Sequence, residues 1–181
     1  MSYIKPIDRQ HADASVGATL DALKAKLGKL PNLFLTLANT PVALNAYVQL
    51  ADAVGHGRFG AKQREQIALA VGEANACEYC LSAHSAIGKM VGLSPAQIAA
   101  ARDGKSDDAR DAAVLALARG ILDHRGHVPT AELDAFKAAG FSDGDVLEVL
   151  VNVVLNIYTN YANHIARTDV DFPLAAKRLA A

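Results

Sequence analysis

Two cysteines and one histidine stand close together in the sequence, at spacings that suit thiol chemistry. The only cysteines, Cys77 and Cys80, form a Cys-x-x-Cys motif, and His84 follows four residues after the second. Glu65 lies twelve residues before the first cysteine. Residues three and four apart are neighbours on a helix, so we expect Cys80 to contact both Cys77 and His84. The pattern predicts a reactive dithiol with an imidazole within reach.

The chemistry of this pair depends on which sulfur loses its proton, because the thiolate is the nucleophile. A free cysteine, with a pKa of ~8.5, is mostly protonated at neutral pH. Backbone N–H groups at a helix start favour negative charge on Cys77. His84 can accept the proton of Cys80, and Glu65 can orient His84 and stabilise its cation. We therefore assign Cys80 as the sulfur that attacks a peroxide. Cys77, expected to be the more exposed, would resolve the sulfenic acid as a disulfide.

A zinc site is the main alternative to this chemistry. Two cysteines, one histidine and one glutamate can supply four ligands. The sequence has no second Cys-x-x-Cys motif, and zinc sites of this kind usually lie on turns rather than within a helix. We expect no metal or other cofactor. Two non-catalytic hypotheses stay open, a zinc-stabilised helical oligomer and a module whose disulfide switches its assembly.

Composition and charge exclude several classes of protein. A net charge of −1 over 181 residues gives no basic surface for nucleic acid. The first fifteen residues contain no apolar run that resembles a secretory signal. The most apolar stretch, 146–158, is too short to span a bilayer and contains Glu148, Asn152 and Asn156. We expect a single cytoplasmic domain over residues 1–181, with no membrane partner.

Helix-favouring residues and capping patterns predict an all-α fold, a compact multi-helix bundle. Asn75, three residues before Glu78, is predicted to cap the helix that carries the cysteines. Ser94 and Ser142 open two further capping boxes, and Ser106 is predicted to cap the helix between them. The predicted helices are 15–27, 32–38, 42–54, 61–74, 75–91, 97–102, 106–122, 130–139 and 144–167.

The last predicted helix carries two patterns that bear on organisation. Asn152, Asn156 and Asn160 recur every four residues and form a polar stripe. The stripe favours hydrogen bonds that fix helix register, as at an oligomer interface, or else a wet wall of the active-site pocket. Asp145 and His164 are 19 residues apart, as are Glu65 and His84, and each residue of the later pair lies 80 positions after its counterpart. That offset predicts a diverged repeat of one helical unit.

These residues resemble a known family. Glu65, eleven residues, Cys77-x-x-Cys80, three residues and His84 are similar to the motif of the alkyl hydroperoxidase D and carboxymuconolactone decarboxylase superfamily. Residues 156–164 and 169–173 resemble its peroxidase-related branch, and the resemblance covers about 30–173. It implies an all-helical fold, trimers or hexamers, and thiol-dependent reduction of hydroperoxides.

The resemblance also implies a role for each residue of the motif. Cys80 corresponds to the family's peroxidatic cysteine and Cys77 to its resolving cysteine, with Glu65 and His84 as the proton relay. Tyr79 stands where the best-known members have a histidine. The decarboxylase branch acts on a lactone without a cysteine pair, so the intact motif argues against that activity. We expect a peroxiredoxin-like alkyl hydroperoxide reductase, an antioxidant enzyme that takes electrons from an external thiol or dithiol.

Overall fold

All regular secondary structure in residues 1–176, the part that the computed structural model describes, is helical. The all-α prediction is therefore confirmed. None of the described helices combines the length and hydropathy that crossing a membrane requires. After a 3-10 turn, Arg9–His11, the helices are α1 Ala14–Leu27, α2 Asn32–Leu37, α3 Pro41–Gly55, α4 Ala61–Ala74, α5 Glu78–Met90, α6 Pro95–Arg102, α7 Ala109–Asp123, α8 Thr130–Ala138 and α9 Asp143–Ala166.

Helix α4 lies at the centre of the bundle and packs against α5, α6, α7 and α9. Its residues Ile67, Leu69, Ala70 and Val71 are 0% exposed. A helix that is apolar on nearly every side requires neighbours on every side, and α4 has them. It therefore provides a well-fixed base for Glu65, a polar residue near its beginning.

The cysteines belong to one of three groups of buried apolar residues. Cys77 and Cys80 pack with side chains of α1, α2 and α3, including Leu20, Phe34 and Leu44. The second group joins α4 with α7, α8 and α9, and the third joins α4 with α5, α6 and α7. The dithiol is thus part of a core rather than of a surface loop.

The cap predicted for the cysteine helix is wrong by two residues. Asn75 ends α4, and Ala76 adopts a left-handed conformation with φ 52°. The N-cap of α5 is Cys77, whose Sγ accepts the backbone N–H of Cys80 at 3.4 Å. Asn75 is instead the C-cap of α4, and its Nδ2 donates to Asn160 Oδ1 at 2.9 Å.

The cap predicted for α7 is also wrong, whereas two others are confirmed. Asp108, not Ser106, is the N-cap and accepts two backbone N–H groups of the first turn. A carboxylate suits this position because the helix N-terminus carries partial positive charge. The capping boxes that begin with Ser94 and Ser142 are both present.

The repeat predicted from the offset of 80 residues has no structural counterpart. Glu65 and His84 lie on two helices separated by a turn at residues 75–77. Asp145 and His164 lie on one uninterrupted helix, α9. At about 1.5 Å of rise per residue, nineteen residues separate two such side chains by roughly 28 Å, so they cannot form a pair.

Candidate active site

The two sulfurs are in contact inside the protein. Cys77 Sγ and Cys80 Sγ share a hydrogen bond at 2.6 Å, and both cysteines are free thiols. Cys77 is 1% exposed and Cys80 is 2% exposed. The expectation that Cys77 is the more exposed cysteine is therefore wrong, because the capping position lies within the core. Contact at this distance permits a proton to pass directly from one sulfur to the other.

His84 and Glu65 form the pair that the motif predicted. His84 Nδ1 lies 2.8 Å from Glu65 Oε2, across the contact between α5 and α4. Burial lowers the pKa of His84, but the charge and hydrogen bond of Glu65, with the charge of Cys77, outweigh it and raise the pKa above 6.5. The pair therefore favours an imidazolium close to the sulfurs.

Of the two thiols, Cys77 is the more easily ionised. The hydrogen bond from Cys80, opposed by burial and supported by backbone N–H groups and His84, lowers the pKa of Cys77. The hydrogen bond with Cys77, burial and the charge of Cys77 raise the pKa of Cys80. The lowered pKa of Cys77 agrees with the helix-start effect expected for it. The raised pKa of Cys80 does not agree with the assignment of Cys80 as the thiolate of the resting protein.

A cavity of about 420 Å³ opens beside Cys80. Cys80 and His84 line it, whereas Cys77 is absent from its wall. Its volume lies within the ~300–1,000 Å³ typical of small-molecule sites. The wall is mostly apolar, and Lys26 and Lys29 are its charged residues beside His84. Apolar wall residues include Leu33, Phe34, Ile87, Leu155 and Phe172. A molecule that enters this cavity meets Cys80 rather than Cys77.

Tyr47 is a wall residue that the sequence analysis missed. Its ring packs on Phe34 with centroids 4.9 Å apart. Burial and the charge of Glu65 raise the pKa of Tyr47 to about 12, so the phenol stays protonated. Nothing in its local sequence distinguishes it from a core tyrosine.

The asparagine stripe divides into two parts. Asn152 and Asn156 donate to the α9 carbonyl groups four residues earlier, at 2.8 and 2.9 Å, and Asn156 also lines the cavity. Further along, Asn163 Nδ2 donates to Cys80 Sγ at 3.3 Å. The pocket-wall interpretation therefore applies to Asn156, and Asn163 contacts the site itself. Asn163 was missed, although it continues the stripe three residues after Asn160.

The segment 167–176 covers the beginning of α5. Tyr79 Oη donates to Asp171 Oδ1 at 2.7 Å and accepts the backbone N–H of Leu33 at 3.2 Å. Phe172 packs edge-on against the Tyr79 ring, with centroids 5.8 Å apart. Burial and the charge of Asp171, opposed by the Leu33 hydrogen bond, raise the pKa of Tyr79. Tyr79, which lies between the two cysteines in the sequence, therefore holds this segment against the beginning of α5.

The zinc hypothesis finds no support in the arrangement of these groups. Within residues 1–176, no three His, Cys, Asp or Glu side chains are placed to hold one metal ion. Glu65 and His84 instead bind each other.

The sequence profile of the carboxymuconolactone decarboxylase family matches residues 41–124, a range that contains Glu65, both cysteines and His84. No curated protein matches the sequence. This match and the fold of two of the solved structures below support the resemblance to the superfamily of alkyl hydroperoxidase D and carboxymuconolactone decarboxylase. Members of this superfamily are enzymes of peroxidase-related or decarboxylase type.

Three solved structures illustrate the likeness. A peroxidase-related protein from Ralstonia eutropha JMP134 with an alkylhydroperoxidase AhpD core is 24% identical, with a TM-score of 0.85 over 94% of this chain and 92% of that one. A peroxidase-related protein from Silicibacter sp. TM1040 is 22% identical, with a TM-score of 0.76 over 96% and 93%. The debrominase Bmp8, bound to 2,3,4-tribromopyrrole, is 20% identical, with a TM-score of 0.80 over 94% and 92%. At these identities the likeness establishes the fold.

Proposed function

We propose that this protein is a thiol-dependent peroxidase, an alkyl hydroperoxide reductase. One observation carries the proposal: Cys80 lines an apolar cavity while its sulfur touches that of Cys77, beside the paired His84 and Glu65. This arrangement supplies an accessible nucleophile, a resolving thiol and a proton donor. The apolar wall favours organic hydroperoxides over hydrogen peroxide. An antioxidant role in the cytoplasm is part of this proposal.

The first half of the reaction moves two protons and transfers the distal oxygen of the peroxide, with its hydrogen, to Cys80. The thiolate of Cys77 accepts the proton of Cys80, to which it is hydrogen-bonded, as Cys80 attacks the distal oxygen of the peroxide. The O–O bond breaks, Cys80 becomes a sulfenic acid and the alkoxide leaves. The imidazolium of His84 protonates the alkoxide, and Glu65 stabilises the charge on His84 until that step.

The second half closes and reopens the disulfide. The Cys77 sulfur attacks the Cys80 sulfenic acid, which releases water and forms an S–S bond between residues three apart. An external thiol or dithiol then reduces the disulfide by exchange. The sum converts one hydroperoxide and two thiols into an alcohol, water and one disulfide.

The test is stopped-flow oxidation of the reduced, metal-free protein by cumene hydroperoxide, with thiols counted before and after. We expect wild type to lose two thiols per chain. Cys80→Ser should lose none, and His84→Ala should slow the loss by about 10²–10⁴-fold, the usual contribution of a general acid or base. The matched control is His127→Ala, an exposed histidine outside the cavity.

Retention of peroxide turnover in Cys80→Ser would overturn the proposal. Oxidation that changes the oligomer mass while turnover stays negligible would instead favour a redox-switched assembly. Thermal unfolding brought on by chelation, with one zinc bound per chain, would favour the zinc-stabilised oligomer.

A second candidate is reductive dehalogenation of an aromatic ring. The likeness to Bmp8 suggests it, and the apolar cavity beside two thiols is the observation that supports it. The balance is one aryl bromide and two thiols converted to an arene, hydrogen bromide and one disulfide. Bromide release from 2,3,4-tribromopyrrole, measured with the same variants, separates this activity from peroxide reduction.

We also propose that the chain forms homo-oligomers, trimers or hexamers in line with the family resemblance. The support is a row of large apolar side chains on the solvent side of α9, each at least 38% exposed. They are Leu147, Leu150, Val154, Tyr161 and Ile165. Rows of this kind mark contact surfaces more often than free surface.

A further inference from the structure

The more easily ionised sulfur and the accessible sulfur of this site are different ones. The hydrogen bond from Cys80 lowers the pKa of Cys77, whereas Cys80 faces the cavity. If Cys80 is to attack, something must stabilise a thiolate at that position. His84 and Glu65 do not select Cys80, because the charge of His84 also favours a thiolate on Cys77.

Two buried amides of α9 lie on this sulfur. Asn163 is 4% exposed, and its Nδ2 donates to Cys80 Sγ at 3.3 Å. Asn160 is 0% exposed and comes close enough to lower the pKa of Cys80, as Asn163 does. Its Nδ2 nevertheless makes no hydrogen bond of ordinary geometry with any described residue. A buried N–H donor without a partner is unfavourable, so a state in which it gains an acceptor is favoured.

Asn75 fixes the direction of the Asn160 amide. Its Nδ2 donates to Asn160 Oδ1 at 2.9 Å, which occupies the oxygen end of that amide. The nitrogen end is then the part left to meet Cys80. The contact comes from the turn between α4 and α5, directly before the cysteine motif.

We propose that Asn160 and Asn163 bind the thiolate of Cys80 and thereby make Cys80, rather than Cys77, the attacking sulfur, with Asn75 as the residue that positions Asn160. Hydrogen bonds to a charged acceptor are stronger than those to a neutral one. Both amides therefore favour the state in which the proton has moved from Cys80 to Cys77. No atom is gained or lost in that step, since one proton crosses between two sulfurs already in contact.

The inference deepens the proposed peroxidase, but its test does not need a peroxide. In a Cys77→Ser background, Cys80 titrates alone, which removes the coupling between the two thiols. The rate at which iodoacetamide alkylates Cys80 is measured against pH and mapped by mass spectrometry. Asn163→Leu and Asn75→Ala are compared with Asn152→Leu, a buried asparagine on the same face that bonds only within α9.

For Asn163→Leu we expect the pH midpoint of alkylation to rise and the rate at pH 7 to fall by about 10- to 100-fold, the usual loss for one hydrogen bond to a charged group. Asn75→Ala should shift the midpoint in the same direction by less, because it acts through Asn160. Asn152→Leu should leave the midpoint unchanged. Since Asn75 is only half-buried, its variant keeps the test available if Asn163→Leu fails to fold.

Two outcomes would overturn the inference. One is an unchanged midpoint in both Asn163→Leu and Asn75→Ala while each unfolds cooperatively. The other is an equal shift in Asn152→Leu, which would mean a general loss of packing. If the midpoint shifts as expected while cumene hydroperoxide is not turned over by wild type, the inference stands and the peroxidase proposal fails.

Discussion

The two faces of α9 differ from the usual pattern, because four asparagines are buried beside Val149 and Val153 on one face and large apolar side chains are exposed on the other. On the inward face, Asn152, Asn156, Asn160 and Asn163 are 1%, 6%, 0% and 4% exposed. On the outward face, the apolar row from Leu147 to Ile165 is 38–66% exposed. A surface helix in a soluble monomer normally buries its apolar face and exposes its polar one.

The difference indicates that each face has a task beyond the folding of one chain. Buried amides are favourable where they find hydrogen-bond partners, and the partners here are α9 carbonyl groups, Asn75 and the Cys80 sulfur, while the Nδ2 of Asn160 makes no hydrogen bond with the described residues. The outward row is spaced by three, four, seven and four residues, which is the spacing of a helix seam that packs on another helix. We expect the inward face to serve the proposed chemistry and the outward face to serve assembly.

The largest expected effect lies on the outward face. The double change Leu150→Glu and Val154→Glu should weaken self-association by at least about 100-fold, because burying each side chain contributes about 1.5–3 kcal/mol. Sedimentation and light scattering measure the mass, and the concentration dependence of thermal unfolding should disappear with it. Ala96→Glu adds a charge to the exposed side of α6 and should leave the mass unchanged. A monomeric wild type at high protein concentration would refute the assignment of this face.

A smaller effect is expected at the charged pair of His84 and Glu65, which lies near the inward face of α9. His84 has a raised pKa in the folded state, so its contribution to stability is fully present below about pH 6.5, its usual pKa, and is lost as the pH rises through the raised value. His84→Gln should therefore lower the free energy of unfolding by about 1–3 kcal/mol at pH 6 and by less at pH 9.

Urea unfolding at several pH values measures this difference. Glu65→Gln, the partner variant, should reproduce the pH dependence, and the double variant should be non-additive because the two side chains are in contact. A stability difference that does not vary with pH would mean that His84 is neutral in the folded state. The inward face of α9 would then lie beside an uncharged His84, and charge would no longer distinguish the two faces.

Local patterns were sufficient to predict the helices and the paired residues of the site. The bounds of α4 agree with the predicted 61–74, because its apolar residues follow a glycine-rich loop and stop before Asn75. The pairing of Glu65 with His84 follows from two consecutive antiparallel helices, which the motif spacing already implies. The capping boxes at Ser94 and Ser142 depend on residues only three apart, so they could also be predicted from the sequence.

Features that depend on distant contacts were not predictable. The left-handed conformation of Ala76 moves the cap from Asn75 to Cys77, and alanine gives no sign of it. The hydrogen bond from Asn163 to the Cys80 sulfur joins residues 83 apart. The contact of Asp171 with Tyr79 joins residues 92 apart. In each case the decisive partner lies on another part of the chain.

The smallest expected effect distinguishes two contributions to the site. One is the covering of the dithiol by neighbouring segments, and the other is the stabilisation of its negative charge. The inward face of α9 covers Cys80, and the segment 167–176 covers the helix start through Tyr79. Tyr79→Phe removes the hydrogen bonds to Asp171 and Leu33, at a cost of about 1–3 kcal/mol, because a buried N–H loses its partner. We expect a bulky aromatic disulfide reagent to modify the thiols several-fold faster, since local opening of the segment becomes easier.

The control is Tyr158→Phe, which removes one hydrogen bond, to the Ala43 carbonyl, and leaves the segment in place. Its thiols should react at the wild-type rate. Tyr79→Phe and Asn163→Leu are then expected to act with opposite signs on the same sulfur: the first increases access, and the second decreases the thiolate fraction. If both variants slow the thiols, Tyr79 also supports the charge on the sulfurs. Tyr79 and the inward face of α9 would then both stabilise the thiolate, and α9 would not be its only source of stabilisation.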